Sequence, residues 1–177
     1  MSFIETLQRI ESSDLFKNFK EKHQDARLCA GFFILDFLSN DNKNSLDYKT
    51  GEKIFTFSIN RKNEITIQED RFLEFPETPK LTPIDIPSIL GVELEELKGI
   101  SEVKALDNGI SAKFHKIIAV LQNKDEPGIK EQKLIWNLTC MLDHLIILHI
   151  LIDAQTNQIL KFERKSMMDL VRKKSAG

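Results

Sequence analysis

Residues 143–160 read DHLIILHILIDAQTNQIL. An apolar run broken by one histidine halts at Asp153 and resumes after a polar stretch. Three readings compete: a membrane segment, a metal or catalytic site on His144 and His149, or the hairpin of a sheet. The longest apolar stretch, Leu145 to Ile152 with His149 inside it, is far below the about 20 residues a bilayer span needs. Extending it back to Leu134 takes in Asn137, Thr139, Asp143 and His144, so no membrane segment is expected. His144 and His149 are five positions apart, and on one strand they would point to opposite faces and could not share a metal.

The hairpin reading has a second witness. DAQTNQIL at 153–160 is matched by DYKTGEKI at 47–54. Each has an aspartate, a threonine three residues on, and then a residue suited to the left-handed backbone. Asp47, Thr50 and Gly51 thus correspond to Asp153, Thr156 and Asn157. Aspartate and threonine accept hydrogen bonds from amides ahead of them. Glycine is the best residue for a left-handed corner and asparagine the usual second choice. Both tetrads are expected to close corners between antiparallel strands.

Four of the five prolines lie between 76 and 87, in FPETPKLTPIDIPS, which marks a boundary between two apolar-patterned regions. Ser2-Phe3-Ile4-Glu5 fits a capping box, followed by helical spacing with a break and recapping at Ser12-Ser13-Asp14. ARLCAGFFILDFL reads as a buried strand, SNDNKNS as a loop, and KIFTFSI and EITIQ as paired strands. In the second half, Leu90, Leu94 and Leu97 mark a helix with Pro87 near its start. FHKIIAVLQ, KLIWNLTCML, LIILHILI and ILKF follow as strands, and SMMDLVRKK as a closing helix. Leu134, Trp136, Leu138, Cys140 and Leu142 share one face, with Trp136 expected against the second helix. Phe32, Phe33, Phe55 and Phe57 are expected to fill the first core.

The fold class is therefore α+β, in two tandem helix-plus-antiparallel-sheet lobes: 1–75, a proline-rich linker at 76–88, and 89–177. Each helix should cross one face of its own sheet, as in a cystatin; the pattern leaves open whether the sheets merge or stack.

The chemistry expected is sparse. With 25 basic and 27 acidic residues well mixed and a net charge of −2, no nucleic-acid partner is indicated. The densest basic stretch, Arg164-Lys165 and Arg172-Lys173-Lys174, reads as a solvated helix end. His23, His115, His144 and His149 show no metal-ligand spacing. Cys29 and Cys140 read as buried free thiols; a disulfide stays open but lacks a secretory context. Glu93, Glu95 and Glu96 read as the solvated face of a helix. No glycine-rich phosphate cradle occurs, and NDNKNSLD at 40–47 lacks the glycine and final glutamate of a calcium loop. MSFIETLQRIESSD is not a secretory signal, and a cytoplasmic protein is expected. No metal, cofactor or catalytic residue is assigned.

With LIWNLTCML at 134–142 and ILIDAQTNQILKF at 150–162 in place, the second half resembles a PepSY-type domain, departing from it at Asn157 where glycine is usual. The whole chain resembles uncharacterised archaeal proteins built on this pattern twice, through FFILDF, DYKTGEKIFTF, KIIAVLQ and MMDLV. The resemblance implies a helix followed by antiparallel strands and carries no catalytic residues. The function expected is a non-enzymatic binding or regulatory module for a protein or peptide, with open sheet edges as the receiving element. The alternatives are a small hydrolase using Cys29 or a carboxylate in an inter-lobe cleft, and a structural subunit; a homodimer is compatible with the pattern.

Overall fold

The computed structural model describes residues 1–71, 81–87, 90–124 and 132–166 of the 177. Ser2 opens helix α1 (Phe3–Ser12) through a complete capping box, its hydroxyl accepting from Glu5 N at 3.1 Å while Glu5 reaches back to Ser2 N at 2.7 Å. Ser13 ends α1 and starts α2 (Asp14–Lys22): its hydroxyl donates to Ile10 O and accepts from Phe16 N, which turns the chain without a lost bond. Phe3, Thr6, Ile10, Phe16 and Phe19 form the buried face of this pair.

Four strands follow: β1 (Arg27–Asp36), β2 (Lys43–Thr50), β3 (Lys53–Ile59) and β4 (Ile65–Arg71). After a 3-10 turn at Leu94–Glu96, helix α3 (Leu97–Asp107) leads to β5 (Phe114–Lys124), β6 (Lys133–Leu142), β7 (Ile146–Asp153) and β8 (Ile159–Ser166). The plan of helix then four antiparallel strands thus occurs twice. The two sets merge by pairing β1 with β5, giving one eight-stranded sheet in the order β4-β3-β2-β1-β5-β6-β7-β8.

The register shows how the core is shared. Ile67, Phe57, Leu46, Gly31, Leu121, Trp136, Ile152 and Ile159 are cross-strand partners in one row over all eight strands. They face the helices, because Phe3 of α1 stands edge-on to both Phe33 and Trp136 at 6.0 and 6.3 Å. Gly31 makes room for that ring: a Cβ there would come within 3.1 Å of Phe3 and 2.9 Å of Phe33. Trp136 therefore packs against the first helix and Phe33, not against the second helix alone as its strand suggested. Its indole N–H donates to Val92 O at 3.0 Å, just before α3.

Several expectations are corrected. The SNDNKNS segment is loop only to Asn42; Lys43–Ser45 already pair with β1, because a strand held on both sides takes its neighbours' conformation whatever its own preference. Asp47 lies mid-strand, its carboxylate accepting from Thr56 Oγ1 at 2.7 Å, and the corner is Gly51-Glu52 between the paired Thr50 and Lys53. Asp153 does build its turn, taking Gln155 N at 2.9 Å and Thr156 N at 3.0 Å. The two tetrads are unequal in wiring, yet Gly51 (φ 56°) and Asn157 (φ 63°) are both left-handed. The second helix starts at Leu97, not near Leu90, because Gly91 N and Val92 N bond instead to Ala154 O at 2.9 and 3.2 Å.

Phe32 points to the helix-free face and is half-buried, while Phe33, Phe55 and Phe57 are in the core as expected. The described part of the proline-rich segment is strapped down: Ile84 N donates to Leu28 O, Asn123 to Pro83 O, and Arg27 meets Asp85. The expected closing helix, with Arg172, Lys173 and Lys174, lies outside the described residues, as do Pro76 and Pro79.

Candidate binding surface

Merging the half-sheets uses two of their four edges and, among the described residues, leaves β4 and β8 outermost. These edges differ. Strand β8 carries Lys161, Arg164 and Lys165, the charges that discourage a further strand from docking. Strand β4 ends in Glu69-Asp70-Arg71 but begins with the uncharged ITIQ, and Ile67 on its helix side is 36% exposed although it abuts buried Phe57. Among the described residues no further strand lies beside Ile65–Ile67, and this main-chain edge adjoins an apolar shelf continuous with the core.

The helix-free face carries a polar patch on its other half. Thr139, His149 and Glu163 are partners across β6, β7 and β8. His149 Nε2 lies 2.8 Å from Asn137 Oδ1, so that nitrogen is the donor and Nδ1 carries the lone pair. Nδ1 is shut off from water, has no hydrogen-bond partner among the described residues, and faces Glu163 Oε2 at 3.8 Å. Burial chiefly, then Lys165 and Lys161, push the His149 pKa down, against Glu163. Lys161 and Lys165 lie at ion-pair distances of 3.2 and 3.6 Å from Glu163 Oε2, without the alignment of a good hydrogen bond. Lys161 above all holds the Glu163 carboxyl below its ordinary value.

His144 is not on a strand. With Leu145 it forms the β6–β7 turn, both residues left-handed at φ 61° and 58°, and Ile146 N closes the turn on Asp143 O. Asp143 meets the ring of His115, a pairing across 28 positions that no local motif announces. His23 stacks among Phe19 and Phe55. The four histidines thus occupy four separate places. Among the described residues no cluster of three or more His, Cys, Asp or Glu could hold a metal ion.

The thiols are inert by position. Cys29 is 1% exposed, donates to Asp47 O at 3.2 Å, and burial pushes its pKa up to about 12. Cys140, fully buried, is also pushed to about 12 by burial. Neither forms a disulfide. The halves meet as hydrogen-bonded strands from Gly31 to Asp36, where an inter-lobe cleft was envisaged. Glu93 precedes the 3-10 turn and is not inside a helix; burial first, then Glu95, raises its pKa. Among the described residues no helix is long and apolar enough to cross a membrane.

Comparison with known proteins places the fold alone. No protein-family model and no curated protein matches the chain. Its fold is similar to the crystal structure of a "putative lipoprotein" from Clostridium difficile 630, with a TM-score of 0.55 at 14% identity, covering 86% of this chain and 91% of that one.

Proposed function

We propose that this chain is a non-enzymatic binding module, two PepSY-like units (1–75 and 89–177) fused along β1–β5, which takes an extended segment of a partner protein onto the outer edge of β4. The observation that carries the reading is the asymmetry of the two edges. An added strand gains main-chain hydrogen bonds, and its alternate side chains gain a surface to read. On β4 that surface is Ile65 and Ile67 on one side and Thr66 on the other; on β8 Lys161 and Lys165 flank Glu163 on one side and Arg164 stands on the other.

The PepSY-like reading is supported by the repeated order of helix and four strands, by buried Trp136 and by left-handed Asn157. Two free thiols favour a reducing compartment such as the cytoplasm. A cysteine hydrolase is disfavoured because a thiol with a pKa near 12 is no nucleophile at neutral pH.

The test is capture of a partner by the wild-type chain and by Ile67→Lys, which places a charge on the edge without emptying the core. Capture should be lost in Ile67→Lys and kept in Arg164→Gln on the opposite edge. Amides 65–67 should gain hydrogen-exchange protection in the complex. A partner indifferent to Ile67→Lys and protecting other amides would refute the proposal.

A further inference from the structure

A separate hollow opens on the helix-free face, on the half away from His149. One cross-strand row runs Val120, Phe32, Ser45, Ser58 and Thr66. Phe32 projects beside two serines, and the step from a phenyl ring down to two short hydroxymethyl groups leaves a depression. The loop at Asp41–Asn42 and the turn at Asn60–Arg61 raise its rim. The space, open to solvent on one side, is about 360 Å³, within the size range of small-molecule sites.

Three side-chain oxygens around this hollow are already engaged, while Asp41 Oδ2 keeps its lone pairs. Asp41 Oδ1 takes Arg61 Nε at 2.9 Å and Nη2 at 2.8 Å. Asn60 Oδ1 takes the amides of Lys62 and Glu64, both at 2.9 Å, and Asn42 Oδ1 takes Asp36 N at 2.8 Å. The donors are not. Asn42 Nδ2, Lys43 Nζ and the Ser58 hydroxyl make no side-chain hydrogen bond or ion pair among the described residues. With Arg61 neutralised by Asp41, Lys43 leaves a single uncompensated positive charge.

A ligand matched to these free donors and to the Lys43 charge brings acceptors, one negative charge and an apolar body for Phe32. We propose that this hollow binds a small organic monocarboxylate with a planar apolar body, the ring against Phe32 and the carboxylate toward Lys43 and Asn42. The proposal stands apart from partner capture on β4: it uses β1, β2 and β3 and the opposite face from Ile67.

The test is titration of the isotope-labelled chain with benzoate, following amide shifts. Saturable shifts confined to residues 41–45 and 58–61, with a Kd of about 1 mM or tighter, are expected. Benzyl alcohol, which keeps the ring and lacks the charge, should bind about tenfold more weakly, as should benzoate to Lys43→Gln. Phe32→Ser should abolish binding with the remaining spectrum unchanged, and Lys17→Gln on α2 should have no effect. Absence of saturation by about 20 mM benzoate would overturn the proposal. So would equal binding of benzyl alcohol, or inorganic phosphate binding as well as benzoate, since the ring would then contribute nothing.

Discussion

Gly91→Ala should be among the most damaging single-methyl changes in this chain. A Cβ at Gly91 would lie 1.8 Å from Gln155 O and 2.5 Å from its carbonyl carbon, both main-chain atoms. Relief requires the two segments to separate by about 1.2 Å, the shortfall from the roughly 3.0 Å closest approach of real Cβ atoms. Neither segment yields easily. Gln155 sits in a turn that Asp153 holds through two amides and through Asn157 N on Asp153 O at 3.0 Å. Gly91 and Val92 are held by Ala154 O, and Val92 O in turn accepts from Trp136. An opening of that size breaks the two main-chain bonds, at about 1 kcal/mol each, and strands the buried indole N–H, at about 1–3 kcal/mol. The expected loss is about 3–5 kcal/mol, a large share of the 5–15 kcal/mol typical of a domain. It corresponds to a fall in Tm of roughly 6–20 °C for a chain of this size. Trp136 is the one tryptophan and is fully buried, so its fluorescence reports the urea transition without labels. Gly99→Ala in α3, where a Cβ meets nothing within 4 Å, is the control and should stabilise by about 1 kcal/mol. A Gly91→Ala variant within about 0.5 kcal/mol of wild type, with unshifted emission, would refute the claim that this contact locks the second helix to the hairpin.

Leu145→Gly should stabilise by about 1 kcal/mol in the same urea assay, because Leu145 is 68% exposed and left-handed and gives up strain with little burial. For pH the sign follows from the depressed pKa of His149: the folded state binds the proton less readily than the unfolded chain. Stability should therefore fall as pH drops through about 6.5, by at most about 1.4 kcal/mol per unit, and His149→Gln should flatten the urea midpoint between pH 7.5 and 5.5. Cys29 and Cys140 should resist Ellman's reagent in the native state and both react in urea; prompt native labelling of Cys29 would reopen thiol chemistry.

What could be read from the sequence is what depends on near neighbours. KIFTFSI and KLIWNLTCML alternate because one face of each strand meets the core, and Ser2–Glu5 caps because both partners lie within one turn. Gly51 and Asn157 needed only the rule of which residues tolerate a left-handed backbone. The misread elements are those settled by contacts across the fold. Asn44 and Ser45 are polar by composition, yet lie between two strands; the leucines from Leu90 have helical spacing, yet the amides of Gly91 and Val92 are drawn to Ala154.

The two surfaces proposed for binding were harder still to foresee, since each is a product of register. Ser45 and Ser58 become neighbours of Phe32 only when three strands align, and a slip of one residue would turn all three to the other face. The inequality of the edges likewise has no meaning until β1 pairs with β5 and so leaves β4 and β8 outermost. That pairing also explains why the halves cannot have independent cores: Phe3, Phe33 and Trp136 come from both halves and meet over Gly31 at the seam. A ring packed across a seam resists its opening, so the proposed partner capture is assigned to the rim of the sheet and not to a parting of its halves.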